Sequence, residues 1–141
     1  MSALLSKAAS LCESHQKIIV SEEKNRKHTA KNLDLSLVRH YKIDGDVITD
    51  ISILKCDYLV LNDSKKTAYF IELKSSGKFN EARQQIHSTI EKLRQELPGY
   101  IYHGRIIAKS VSSTQKLYAT KEITHRRKYK GEINYNREDN I

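Results

Sequence analysis

Two acids and a lysine near the middle of the chain have the types and spacing to handle a metal ion and a phosphate. Two apolar runs, Ile53–Leu61 and Thr67–Leu73, flank the polar stretch Asp63-Ser-Lys-Lys66. Short runs rich in Ile, Leu, Val, Tyr and Phe around a turn-forming cluster read as an antiparallel hairpin. With Asp63–Lys66 as the loop, Asn62 faces Thr67, and the same register sets Asp57 directly across from Glu72. Cβ atoms of such a pair lie roughly 4.5–5.5 Å apart, and like charges there destabilise a sheet. Two facing carboxylates among apolar neighbours call for a cation or a shared proton. A hard divalent ion held by oxygen ligands is the natural partner. Alternate strand residues share a face, so Lys74 points with Glu72 and brings an ammonium group beside the acids. This is the apparatus for metal-assisted attack of water on a phosphodiester.

Asp57, fourteen intervening residues and Glu72-Leu73-Lys74 at a strand end resemble the PD-(D/E)XK nuclease superfamily, also called the restriction-endonuclease-like fold. The longer pattern, Ile43-Asp44-Gly45, Lys55-Cys56-Asp57-Tyr58-Leu59, Phe70-Ile71-Glu72-Leu73-Lys74, Ala82 and Gln85, resembles small prokaryotic members and covers roughly positions 32 to 110. Cys56 replaces the proline of the motif's name, and Ser75 stands where glycine is frequent. Neither departure removes a functional group. The resemblance implies an α/β (α+β) fold with a central mixed sheet flanked by helices in the order αβββαβ. It implies that Asp57, Glu72 and the Leu73 carbonyl hold Mg²⁺, with Mn²⁺ as a substitute. Lys74 would orient or help deprotonate a water and touch the scissile phosphate. Gln85 would face the active site from the following helix, with Asp44, Glu22 or Glu23 as further candidate acids.

Glu-x-Lys by itself carries little weight, because it occurs on any solvated strand or helix. Here it ends an apolar strand, its partner acid falls at the cross-strand register, and the order of elements matches the superfamily core. The competing reading is a solvated hairpin face with a Glu–Lys pair and a lone Asp. That face also carries Leu59, Leu61 and Phe70, whose exposure would forfeit hydrophobic burial.

A formal net charge of +8 over 141 residues, with a sequence pI near 9.5, favours a polyanionic partner. Nucleic acid, DNA before RNA, is the expected one. The length fits a single domain over residues 1–141, divided into an N-terminal helical part (1–31), the core with the motif (32–110) and a C-terminal helix with an edge strand (111–141). Cys12 and Cys56 read as small buried hydrophobes in a reducing cytoplasm, and no Cys/His spacing suggests zinc. The N-terminus lacks the positive start of a signal peptide, and no run is long enough to span a membrane. Cutting both strands of a duplex would favour a homodimer.

Stepping along the chain, apolar residues from Leu4 to Ile19 recur at helical spacing, predicting a helix from Ser2 to about Val20. Ser21 would cap a second short helix, Glu22 to about Lys31. Its basic run, with Lys24, Arg26 and Lys27, is either a solvated face or a phosphate-contacting patch. Leu35–Ile43 reads as the first strand, closed by the Asp44-Gly45 turn. Phe79, Ala82, Ile86, Ile90, Leu93 and Leu97 form an amphipathic stripe ended by Pro98-Gly99. Tyr100–Ser110 predicts a strand that crosses over to lie beside the hairpin. Thr114 to about Lys130 predicts a weaker helix, whose end carries Arg126, Arg127, Lys128 and Tyr129. Those residues are either compatible with the helix dipole or contact phosphate while a base stacks on the tyrosine. Residues 131–136 would add an edge strand.

Overall fold

The computed structural model describes residues 3–24, 26–74, 79–108, 133–135 and 140–141. In chain order these form helix α1 (Leu4–Lys7), strands β1 (Ile18–Glu23), β2 (Arg26–Lys31), β3 (Val38–Lys42), β4 (Tyr58–Asn62) and β5 (Thr67–Lys74), helix α2 (Phe79–Leu93), and strands β6 (Ile101–Ala108) and β7 (Ile133–Tyr135). The fold is α+β. Five strands make one mixed sheet in the order β3-β4-β5-β6-β7, antiparallel from β3 to β5 and parallel from β5 to β7. β1 and β2 pair only with each other as an antiparallel hairpin.

The β4–β5 hairpin has the expected register, running from Asn62↔Thr67 to Tyr58↔Ile71. Its turn is residues 63–66, with Lys66 at a φ of 51°. Period-two patterning divides the side chains between two cores. On one face Leu59, Leu61, Ala68 and Phe70 are fully buried under Ala82, Ile86, Ile90 and Leu93 of α2. Each large aliphatic side chain buried this way contributes roughly 1.5–3 kcal/mol, which excludes a solvated hairpin face. After α2, a 3₁₀ turn over Arg94–Glu96 and Gly99 at φ 78° reverse the chain into β6. β6 then runs parallel to β5, completing the predicted crossover. The Glu96 carboxylate accepts the N–H groups of Leu4 and Leu5 at 3.0 and 2.9 Å, tying α1 to the end of this layer.

The other face, with Val38, Tyr58, Val60, Tyr69, Ile71 and Leu73, is covered by Ile19 and Ala30 of the β1–β2 hairpin. This corrects the N-terminal reading. In place of a helix to Val20 and a second over Glu22–Lys31 there is one helical turn, an irregular stretch and two strands. Ile18, Ile19 and Val20 are β-branched and stiff, which suits a strand. The buried positions alternate as Ile19, Ser21, His28 and Ala30, but two of the four are polar, so the strand period does not stand out as hydrophobicity. Each of the polar pair meets a polar partner across the interface. Ser21 Oγ lies 2.9 Å from His40 Nε2, and Arg105 Nη1 lies 3.2 Å from His28 Nε2. The sheet is therefore flanked by a helix on one side and a hairpin on the other, and βββαβ is the part of the expected order that stands.

The first predicted strand is shorter than its apolar pattern, spanning Val38–Lys42. Gly45 at φ 102° makes the turn after it, and the return is a single bridge between Asp44 and Ile48. The free edge of β3 is blocked by residues 10–12, where Leu11 N donates to His40 O at 2.7 Å. Residues 133–135 form the anticipated edge strand. The helix expected over Thr114–Lys130 lies outside the described residues.

Candidate active site

Asp57 lies one residue upstream of β4, where the ends of three strands meet. Its N–H donates to Ile71 O at 3.1 Å, and its carbonyl accepts Ile43 N at 2.8 Å. Its carboxylate accepts the main-chain N–H of Leu73 through Oδ2 at 2.8 Å. A hydrogen bond to an ionised acceptor is stronger than a neutral one and fixes the carboxylate against β5. Asp57 is 8% exposed and Glu72 2% exposed, so both acids are withdrawn from solvent.

Glu72 follows Phe70 by two positions in β5, and strand alternation assigns it to the face covered by α2. Lys74 is the last residue of β5 and pairs with Ala108 of β6. Cys56 is fully buried, and burial pushes its thiol far above the usual range, with the Glu72 and Asp57 charges adding to the rise. Both carboxylates therefore act on one buried sulfur. Cys56 packs in the α2-side core with Leu59, as a small buried hydrophobe.

Helix α2 is joined to this corner by a hydroxyl that sequence reasoning did not single out. Thr89 Oγ1 accepts Cys56 N–H at 2.8 Å and donates to Gln85 O at 2.8 Å. Gln85 thus sits four residues, about 6 Å along the axis, from the Cys56 contact. Its side-chain Oε1 is buried and accepts no hydrogen bond among the described residues. The only signal for Thr89 in the sequence was its i+4 spacing from Gln85 beside the apolar stripe.

The remaining candidate acids are not brought in. Asp44 is exposed, with Lys55 Nζ at 3.9 Å, and that ammonium donates to Asp50 O and Ile53 O instead. Glu22 and Glu23 belong to β1, on the opposite side of the sheet from α2. Among the described residues no group of three His, Cys, Asp or Glu side chains is placed to hold a metal. The two carboxylates offer the oxygen donors that Mg²⁺ takes, since that ion is commonly held by one or two carboxylates plus substrate phosphate and water.

The basic residues of the N-terminal part also change character. Lys24 sits in the β1–β2 turn at φ 54°, and Arg26 and Lys27 are on β2 rather than on a helical face. They pair across the hairpin with Glu23 and Glu22, which offset their charge. Arg126, Arg127 and Lys128 lie outside the described residues. No helix of the described residues is long and apolar enough to cross a membrane.

Compared with family models, with curated proteins and with solved structures, the chain matches none.

Proposed function

We propose that this chain is a Mg²⁺-dependent nuclease with a restriction-endonuclease-like core, hydrolysing phosphodiesters of nucleic acid, DNA before RNA. The observation that carries this reading is that two solvent-shielded carboxylates, Asp57 and Glu72, both bear on the buried Cys56 at a strand-end corner. A divalent cation is the ligand chemistry that two solvent-shielded carboxylates favour. Asp57, Glu72 and the Leu73 carbonyl would hold the metal. When bound, the metal supplies a water of lowered pKa and offsets charge on the phosphoryl oxygens. Asp57 is held in place by the Leu73 N–H through Oδ2. Lys74, at the end of β5, orients or helps deprotonate the attacking water and contacts the scissile phosphate. Gln85 offers its amide to a water or phosphate oxygen.

The charge distribution agrees with a polyanionic substrate. Residues 109–132 contain seven Lys and Arg against two Glu, and the chain enters that stretch from Ala108, the partner of Lys74. Purified protein incubated with single-stranded, duplex and branched DNA and with RNA should cleave with Mg²⁺ or Mn²⁺ and not in excess chelator. Asp57→Ala, Glu72→Ala and Lys74→Ala should each abolish cleavage. Lys74→Arg should not restore it, because a guanidinium does not reproduce a compact ammonium. Cleavage that persists in chelator or in all three variants would defeat the mechanism.

One observation favours a second reading, a non-catalytic nucleic-acid-binding module on the same fold: no third acid joins Asp57 and Glu72 among the described residues. The two readings separate on metal response. A nuclease site binds Mn²⁺ and raises the melting temperature by linkage. A pure binder shows salt-sensitive affinity for nucleic acid and no metal response.

A further inference from the structure

The β4–β5 ladder ends at Tyr58↔Ile71, so the peptide that delivers Asp57 lies beyond the last paired residues of its strand. The Cys56 N–H is directed instead at the hydroxyl of Thr89, which is fully buried, as is Cys56 itself. A threonine that only bonds back to its own helix is commonplace. Thr89 does this, donating to Gln85 O, and the same oxygen also accepts a proton from a residue 33 positions away. With its proton and an acceptor site both engaged, the hydroxyl has one rotamer that serves both contacts. The turn of α2 bearing Gln85 and the peptide preceding Asp57 are thereby held in one register.

We infer that Thr89 is a positioning residue: its hydroxyl sets the Cys56–Asp57 peptide so that the Asp57 carboxylate meets Leu73 N–H and stands in fixed relation to Gln85. Its catalytic consequence rests on the nuclease reading, whereas its structural consequence does not. Replacing the hydroxyl by a methyl group leaves the buried Cys56 N–H without an acceptor, and that donor must then move the peptide to find one. Misplacement of a reacting group by about 1 Å can lower a rate by about 100-fold.

The test uses the full chain with Thr89→Val, Thr89→Ala and Thr89→Ser, read first by amide hydrogen exchange. Val keeps the shape, and Ala serves if Val does not fold. Exchange at Cys56 and Leu73 should quicken by about tenfold or more in Val and Ala, the scale of one lost hydrogen bond. Val60 and Phe70 should hold their protection, and Ser should return Cys56 and Leu73 to wild-type rates. Unchanged exchange at Leu73, or equal acceleration at all four amides, would overturn the inference and leave Thr89 an ordinary core residue. The second readout is cleavage with Mn²⁺: kcat should fall about 10–100-fold in Val with KM unchanged and recover in Ser. An active wild type whose kcat survives Thr89→Val sinks this inference alone. A wild type that cuts nothing, with the predicted exchange pattern intact, sinks the nuclease reading and upholds the placement of Asp57 by Thr89.

Discussion

The Asp57 carboxylate accepts the main-chain N–H of Leu73 at 2.8 Å, just beyond the last Tyr58–Ile71 pair of the β4–β5 hairpin. The acid therefore has a structural task as well as the chemical one proposed for it, and different substitutions separate the two.

Asp57→Asn keeps an oxygen for Leu73 N–H but removes one of the two negative charges that bear on Cys56. Without metal it should melt at the wild-type temperature or above, because repulsion between two shielded carboxylates is relieved. The rise in melting temperature with Mn²⁺ should vanish. Asp57→Ala removes the acceptor too, and the lost charge-assisted bond is worth about 1.5–3 kcal/mol. It should melt below Asp57→Asn. Thermal unfolding of the three proteins with and without Mn²⁺ gives the comparison, and a metal response that survives in Asp57→Asn would remove Asp57 from the metal site.

The parts of this corner that were legible in the sequence are those governed by short periods. Tyr58–Asn62 and Thr67–Leu73 alternate cleanly around a polar turn, so the register from Asn62↔Thr67 to Tyr58↔Ile71 followed from counting, although the ladder stops one pair short of Asp57. The α2 stripe from Ala82 to Leu93 was equally plain, since its apolar residues all face one core. The β1–β2 hairpin was not legible. Its inward positions include Ser21 and His28, which count as polar in any pattern and are buried only because His40 and Arg105 meet them from distant strands. Meanwhile Leu4, Leu5, Ala8 and Leu11 mimic a helical spacing that the chain uses for a single turn. Thr89 escaped for a related reason, since its partner Cys56 lies 33 residues away.

The docking of that hairpin should weaken in acid. His40, stacked on Tyr58 at 5.2 Å and bonded to Ser21, has its pKa lowered by burial to about 4. His103, stacked on Tyr69, is also lowered to about 4, by burial and then by the Arg105 charge. Both are neutral in the folded chain at pH 7 and take up protons more readily when unfolded, at about 6.5. Their contribution to stability is therefore complete above pH 6.5 and is lost as pH falls from there toward 4. Urea unfolding at pH 7.0 and 4.5 should show a drop that shrinks in His40→Asn, which does not titrate. An equal drop in that variant would acquit His40.

Arg105 is the largest fully buried side chain among the described residues, at 1% exposure in a strand with three Ile. Its guanidinium lies 4.3 Å above the Tyr69 ring centroid, meets His28, and donates to Asn140 O at 2.6 Å. It thus joins β6, the β1–β2 hairpin and the residue bridged to Lys31. A lysine carries the charge but not the planar fork that serves a ring face and two acceptors together. Arg105→Lys should lower stability by about 1–3 kcal/mol in urea unfolding at pH 7. Loss of less than half a kcal/mol would mean that packing of the aliphatic stem, not the fork, is what matters.

The two basic clusters should behave differently toward nucleic acid. Lys24, Arg26 and Lys27 share a hairpin with Glu22 and Glu23, with Lys27 opposite Glu22 and Arg26 opposite Glu23, so a phosphate approaching them meets nearly balanced charge. Arg126, Arg127 and Lys128 stand in a stretch where basic residues outnumber acids seven to two. Each phosphate contact changes the slope of log affinity against log salt by about 0.9. Replacing Arg126, Arg127 and Lys128 together by Ala should lower duplex affinity and flatten that slope by about two to three. The same triple replacement at Lys24, Arg26 and Lys27 should leave the slope nearly unchanged. A fluorescence-anisotropy titration of labelled duplex from low to moderate salt makes the comparison. If the hairpin variant is the one that loses the slope, the nucleic acid crosses the face opposite α2, away from Asp57 and Glu72, and the nuclease reading loses its substrate path.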